Sequence, residues 1–196
     1  MPKDSSQPHP RSRAPRGSLT PERILDAAEA LAEQGFGALS MRGVAARLGA
    51  APMALYNHFG TREQLVAALL DRVLGRFGAD APTDDWVEDL HRFARAHRRL
   101  LTEHPWAVAP LFANPIPGPS AQRIGGHALA ILERGGHTGD AAIAAFSGLI
   151  ALNYGWSSFT VAGDLDSRDG YGSDEHYELV LDALVHGLAG GSRIGR

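Results

Sequence analysis

Residues 49–60 read GAAPMALYNHFG. Gly49 can end one helix and Pro52 can open the next, because a proline ring presets the backbone of a first helical turn. Only about one and a half turns then fit before the polar-aromatic cluster Tyr56, Asn57, His58 and Phe59. A helix that short is marginal in water, so its neighbours must hold it. Leu55, Tyr56 and Phe59 offer apolar bodies for that grip. Ala51, Met53, Ala54, Asn57 and His58 form the face left outward.

Upstream, Thr20 followed by Pro21 is a capped helix start, with Ile24, Ala27, Ala28 and Leu31 at helical spacing and Gly35 as a stop. Ser40 is the next N-cap, ahead of Val44, Ala45 and Leu48. Downstream, Thr61 and Gln64 have capping-box spacing and open a fourth helix through Leu65, Leu69 and Val73 to about Phe77, with Gly78 ending it. Three short helices on tight turns within residues 20–60 are the layout of a helix-turn-helix unit. Its outward face suits a major groove, where Asn57 offers a donor and acceptors to base edges. The Tyr56 hydroxyl and Thr61 could reach phosphates, contacts that position a protein without reading sequence.

Beyond the fourth helix, ADAPTDD (79–85) reads as a loop. A helix carrying Trp86, Leu90, Phe93, His97 and Leu100 follows, limited by Pro105. The short segment WAVAPLFA precedes the breaker-rich NPIPGPS (114–120). Further helices are expected over 121–134, closed by Gly135 and Gly136, over 140–162, and over 174–188, with a loop at 163–173. Alternating strand patterns are absent, so the expected fold is all-α with about nine helices. A three-helix N-terminal unit precedes a larger helical one.

Composition sets outer bounds. The 196 residues, 44% hydrophobic and 21% charged, suit a globular chain with a core. No apolar run is long enough to span a bilayer, and residues 1–20 lack the apolar stretch of a secretory signal, so a cytoplasmic protein with no membrane partner is expected. Zero cysteines exclude disulfides, thiolate catalysis and thiolate metal sites. Net charge is -3, but Lys3, Arg11, Arg13 and Arg16 face a single acid within the first 20 residues. Residues 1–19 are therefore expected to be a disordered basic arm, and 191–196 a flexible tail. The chain contains no G-x-S-x-G elbow, no G-x-x-x-x-G-K loop and no H-E-x-x-H pair, which argues against an enzyme.

The stretch RILDAAEALAEQGFGALSMRGVAARLGAAPMALYNHFGTREQLVAAL resembles the DNA-binding domain of TetR-family transcriptional regulators. The pieces that match are IL-AA-AL, Gly35, S-M-R-G-V-A, LG at the turn, LY-HF and TREQL, all in register. The resemblance implies a homodimeric, ligand-responsive regulator, usually a repressor acting on a double-stranded operator. Carried over by position, it nominates Ser40, Met41 and Arg42 at the second helix, and Ala51, Pro52, Met53, Tyr56, Asn57 and His58 at the third. Thr61 and Arg62 complete the face at the start of the fourth. Arg42 suits a guanine, whose two acceptors match its fork. Ala51 departs from the family's usual serine or threonine and cannot cap the third helix.

The later stretch RRLLTEHPWAVAPLF…ALAILERGGHTGDAAIAAFSGLIALNYGWSSF resembles the ligand-binding and dimerisation domain of the tetracycline-repressor branch. The expected organisation is a DNA-binding domain over 20–62, a connecting helix to about 77, and a ligand-binding and dimerisation domain over 78–190. Small residues along 140–162 and 174–188 permit a four-helix interface between two copies. Candidate pocket residues are His97, Trp106, Phe112, His127, Asn153, Trp156 and Phe159, because small-molecule sites are apolar with a few placed polar groups. The branch binds a magnesium-chelated drug through histidines, but His91, His97 and His104 share no helical face, and no metal or cofactor is assigned. A helical interaction module without DNA binding, and an enzyme, are the competing readings.

Overall fold

Several helices begin where a side chain satisfies an amide of the first turn. In the computed structural model, which describes residues 19–113, 118–162 and 173–191, all regular structure is helical. The Thr20 hydroxyl accepts from the Arg23 amide at 3.3 Å and opens α1, Pro21–Ala32. Ile24, Ala28 and Ala32 of α1 are fully buried. A 3-10 turn at Phe36–Ala38 leads to Ser40, whose hydroxyl accepts from Gly43 at 3.1 Å and opens α2, Met41–Leu48. Gly49 then takes φ 63, the left-handed conformation that closes a helix, and its amide and that of Ala50 bond back into α2. Pro52 starts α3, Pro52–Tyr56, with no side-chain cap from Ala51.

The fourth helix, α4, covers Arg62–Leu74. Thr61 accepts from the Gln64 amide at 3.1 Å, while the Gln64 side chain accepts from Gly60 at 2.8 Å. The reciprocal pairing expected of a capping box is present, shifted by one residue on its return arm. The helix stops three residues short of the expected Phe77. Gly75 closes it, and the amides of Arg76 and Phe77 bond to Val73 and Leu74 in tightened turns. That tightening carries the Phe77 ring inward against Phe93, with centroids 5.3 Å apart.

The larger unit comprises α5 (Trp86–Glu103), α6 (Pro105–Ala113), α7 (Pro119–Arg134), α8 (Gly139–Ala162) and α9 (Asp174–Gly191), making nine α-helices among the described residues. Asp85 caps α5 through the Val87 and Glu88 amides. WAVAPLFA, given no element from sequence, lies in α6: Pro105 occupies its start and Pro110 is accommodated inside it. Helices α7 and α9 run slightly beyond the expected limits, so Gly191 is helical and the expected tail shortens to residues outside those described. The basic arm also lies outside the described residues except for Leu19, which packs on the core. The 163–173 loop is likewise outside them except for Ser173, whose hydroxyl accepts from His176 at the start of α9.

Helix α8 packs on α5, α6 and α7, and α9 packs on α5 and α8. The end of α4 is tied to α1: Arg76, just past α4, grips both oxygens of Glu29 at 2.5 and 2.8 Å, and Arg72 reaches Asp26 at 2.5 Å. Among the described residues no helix is long and apolar enough to cross a membrane.

Candidate nucleic-acid interface and adjoining cavity

The face around α3 is built from an inside and an outside. Leu55 is fully buried and Phe59 nearly so, and together they fasten the helix to the core. Ala51, Pro52, Asn57, His58 and Thr61 are exposed, and Met53 is 75% exposed. Tyr56 is 44% exposed, which corrects its expected part in the grip. The physical reason is the helical step: a neighbour of inward-facing Leu55 is turned by about 100° away from the core. Ser40 and Arg42 extend the same exposed surface from the start of α2. Among the described residues Arg42 has no hydrogen-bond or ion-pair partner.

Two nominated side chains are committed elsewhere. Met41 is 6% exposed and belongs to the hydrophobic core, so only its backbone is available to a partner. This corrects its nomination as a side-chain contact. Arg62 is half-buried; its Nε–H donates to the Leu39 carbonyl at 3.0 Å, and its guanidinium lies 5.6 Å from the Phe36 ring centroid. It braces the start of α4 against the turn before α2. The Phe36 ring is also stacked on Trp106 of α6, with centroids 6.5 Å apart and planes 7° from parallel.

A cavity of about 560 Å³ lies in the larger unit. Leu74 of α4, His97 of α5 and Leu111 and Phe112 of α6 form one part of its wall, and α7 and α8 the rest. Of the seven nominated pocket residues, it includes His97 and Phe112. His127 stands against Phe77 and Phe93 and lines a separate void of about 10 Å³. Trp106 faces Phe36. Trp156 packs edge-on against Tyr177 and Phe159, with its indole N–H donating to the Ser173 carbonyl at 3.3 Å. These four positions are corrected as linings of this cavity: His127, Trp106 and Trp156 fill contacts between helices, and Phe159 is exposed and packs on Trp156 of its own helix.

Asn153 is also absent from the wall, yet it determines the chemistry there. It is fully buried. Its Nδ2 donates to the Ala94 carbonyl at 3.0 Å and to Nδ1 of His97 at 3.1 Å, while its Oδ1 accepts from the Tyr177 hydroxyl at 2.8 Å. The carbonyl can only accept, which fixes the amide's orientation. His97 Nδ1 is therefore an acceptor, and the neutral ring carries its proton on Nε2. Burial lowers the His97 pKa to about 4 and so keeps the ring neutral. Burial also raises the Tyr154 phenol to about 12.

Sequence reasoning missed Tyr154, Gln122, Phe146, Ser147 and Ile150 in the wall. The usable signal was the spacing of Phe146, Ile150 and Tyr154, four residues apart on one side of α8. Magnesium prefers several oxygen ligands, commonly including carboxylates. The described lining has no carboxylate, and its one imidazole presents an N–H, so these residues do not fit a resident magnesium site. No group of three His, Asp or Glu that could hold a metal ion occurs among the described residues.

Residues 24–69 match the family model for bacterial regulatory proteins, tetR family, and residues 78–157 match the tetracyclin repressor-like, C-terminal domain. The HTH-type transcriptional repressor DrrR1 of Streptomyces coeruleorubidus is 38% identical over 113 residues, 56% of this chain and 42% of that protein. The chain thus spans less than half the length of the first curated relatives it matches. A single-residue variant of TetR from Acinetobacter baumannii AYE in complex with minocycline is 26% identical, with a TM-score of 0.74 over 90% of this chain and 98% of that one. BioQ with its double-stranded DNA operator is 25% identical, with a TM-score of 0.72 over 88% of this chain and 99% of that one.

Proposed function

The chain belongs to the tetR family of bacterial regulatory proteins, and from that premise we propose that it is a DNA-binding transcriptional repressor, released from a pseudo-palindromic operator by a small molecule. The observation that carries this reading is the course of α4. Its capped first turn adjoins the exposed α3 face, and its last residue, Leu74, belongs to the cavity wall. A guest that favours one placement of Leu74 biases the position of α3. It can do so only by its difference in affinity for the two placements. The family is non-enzymatic, and nothing in this scheme requires turnover.

Residues 20–62 would be the reading unit, α4 its lever, and 78–190 the effector-binding and dimerisation unit. Arg42 would fork onto a guanine and Asn57 onto a base edge, with Met53 and Ala51 against thymine methyls. Ser40, Tyr56, His58 and Thr61 would hold the backbone, with Pro52 against it. Arg62 would act as a brace. Two copies would meet through α8 and α9, where Ile143, Leu179 and Val180 are exposed and Gly148 and Gly187 have open space above their backbones. The dimer then sets two α3 helices on successive major grooves. A reader of chromosomal operators works in the cytoplasm.

The test is fluorescence anisotropy with a duplex taken from the DNA flanking the gene. Arg42→Ala and Tyr56→Phe should each weaken binding, Arg42→Ala by about tenfold or more. Both residues are exposed, so neither change should disturb folding. Unchanged affinity in both variants would refute this contact face.

A further inference from the structure

The cavity wall has a donor set that specifies its guest. We propose that the effector is an uncharged, largely apolar molecule that presents a hydrogen-bond acceptor, such as a ketone oxygen, to the Nε2–H of His97. This deepens the reading of the chain as an effector-released DNA binder and rests on it.

Charge comes first. The described lining contains no Asp, Glu, Lys or Arg. Among the described lining an ionised guest would meet no counter-charge for whatever hydration it gives up, which disfavours it against an uncharged one. The polarity of the wall is confined to His97, Gln122, Ser147 and Tyr154. A space of about 560 Å³ lies within the range of drug-sized sites.

Direction comes second. His97 is 2% exposed, yet forms part of the wall. Its Nδ1 is occupied by Asn153, which is itself held by Ala94 and Tyr177. The ring is further fixed by Phe93, stacked at 6.3 Å, and by Tyr154, edge-on at 5.8 Å. Nε2 makes no hydrogen bond to any described residue. The N–H is held in one tautomer with no partner among the described residues and faces a cavity open to solvent beside exposed Phe112, so a guest's acceptor would replace water there, and a guest without one would leave the donor unpaired. The ring cannot rotate to find another partner without breaking the Asn153 bond. Burial also keeps it neutral, so it offers a dipole and no charge.

The experiment uses three fluorescent probes on the full chain. Prodan is a neutral naphthalene ketone; its analogue with the carbonyl reduced to a methylene lacks only the acceptor; anilinonaphthalene sulfonate is anionic. Prodan should bind about tenfold tighter than the methylene analogue, a ratio set by one buried donor left unpaired. Its emission should also show a hydrogen-bonded carbonyl. The sulfonate should bind more weakly than either. His97→Phe should erase the preference for the ketone, and His97→Gln, which keeps an N–H, should restore part of it.

Equal binding of the two neutral probes by the native chain, or a ketone preference that survives His97→Phe, would overturn the role of His97. Tighter binding of the sulfonate would overturn the uncharged class, and no binding by any probe would overturn the cavity as the site. The two probe comparisons on the native chain hold whether or not a variant folds. Operator retention measured on the same preparation separates the claims. Probe binding as expected with no DNA binding would sink the regulator reading alone, and the reverse would sink only the effector class.

Discussion

His97 links the packing of α5 and α8 to the chemistry of the cavity. Its ring is buried, neutral and tied to Asn153, and its pKa falls to about 4 because burial disfavours the charged form. Unfolding returns the ring to its ordinary value of 6.5. Below that value the unfolded chain binds a proton that the folded chain does not, so stability is full above about pH 6.5 and declines as pH drops toward 4. The loss has a ceiling of about 3 kcal/mol for this group. Urea denaturation at stepped pH should show that decline, and His97→Phe should flatten it. Parallel profiles for the two proteins would contradict the buried neutral ring. The sequence marked His97 as polar in an apolar helix, but its partner could not be read, since Asn153 lies 56 positions away on another helix. Met41 was misplaced for a related reason: adjoining positions at a helix start differ in exposure, and only packing shows that Met41 turns in while Arg42 turns out.

At the scale of elements, local chemistry made the N-terminal unit readable. Thr20, Ser40 and Thr61 cap as their spacing indicates, because each N-cap acts on an amide three residues away. Gly49 is the sharpest case. Its φ of 63 suits a glycine, and a Cβ there would meet nothing within 4 Å. Gly49→Ala should therefore cost about 1–2 kcal/mol of stability through backbone strain alone, measured by urea denaturation. No loss would show that the α2–α3 turn can close in another conformation. Helix α6 was not readable, because Pro105 and Pro110 are breakers by composition; Pro105 sits at the helix start, where its missing amide costs nothing. The cavity face of α8 was also obscure, since small and apolar residues surround that helix on every side. Elements without a polar face depend on tertiary contacts for their orientation, and α6 and α8 supply much of the cavity wall.

In the proposed mechanism α4 links the exposed α3 face to the cavity, and a second bridge lies where Trp106 of α6 stacks on Phe36 beside the Arg62 brace. The proposed assembly adds a two-fold axis through α8 and α9. Leu179, 62% exposed in the single chain, would be covered there. Leu179→Glu should shift the protein from dimer to monomer in sedimentation and lower operator affinity together with it. A dimer that persists would place the interface elsewhere. The overall charge of -3 gives no hint of a polyanion partner; the reading rests on a local surface whose proposed phosphate contacts would release condensed counterions, a gain that shrinks as salt rises. The most direct measurement is retention of the DNA flanking the gene in a gel shift across a salt series. A discrete protein–DNA complex is expected at low salt, with an affinity that falls steeply as salt rises. Absence of any complex at low salt would contradict the DNA-binding reading.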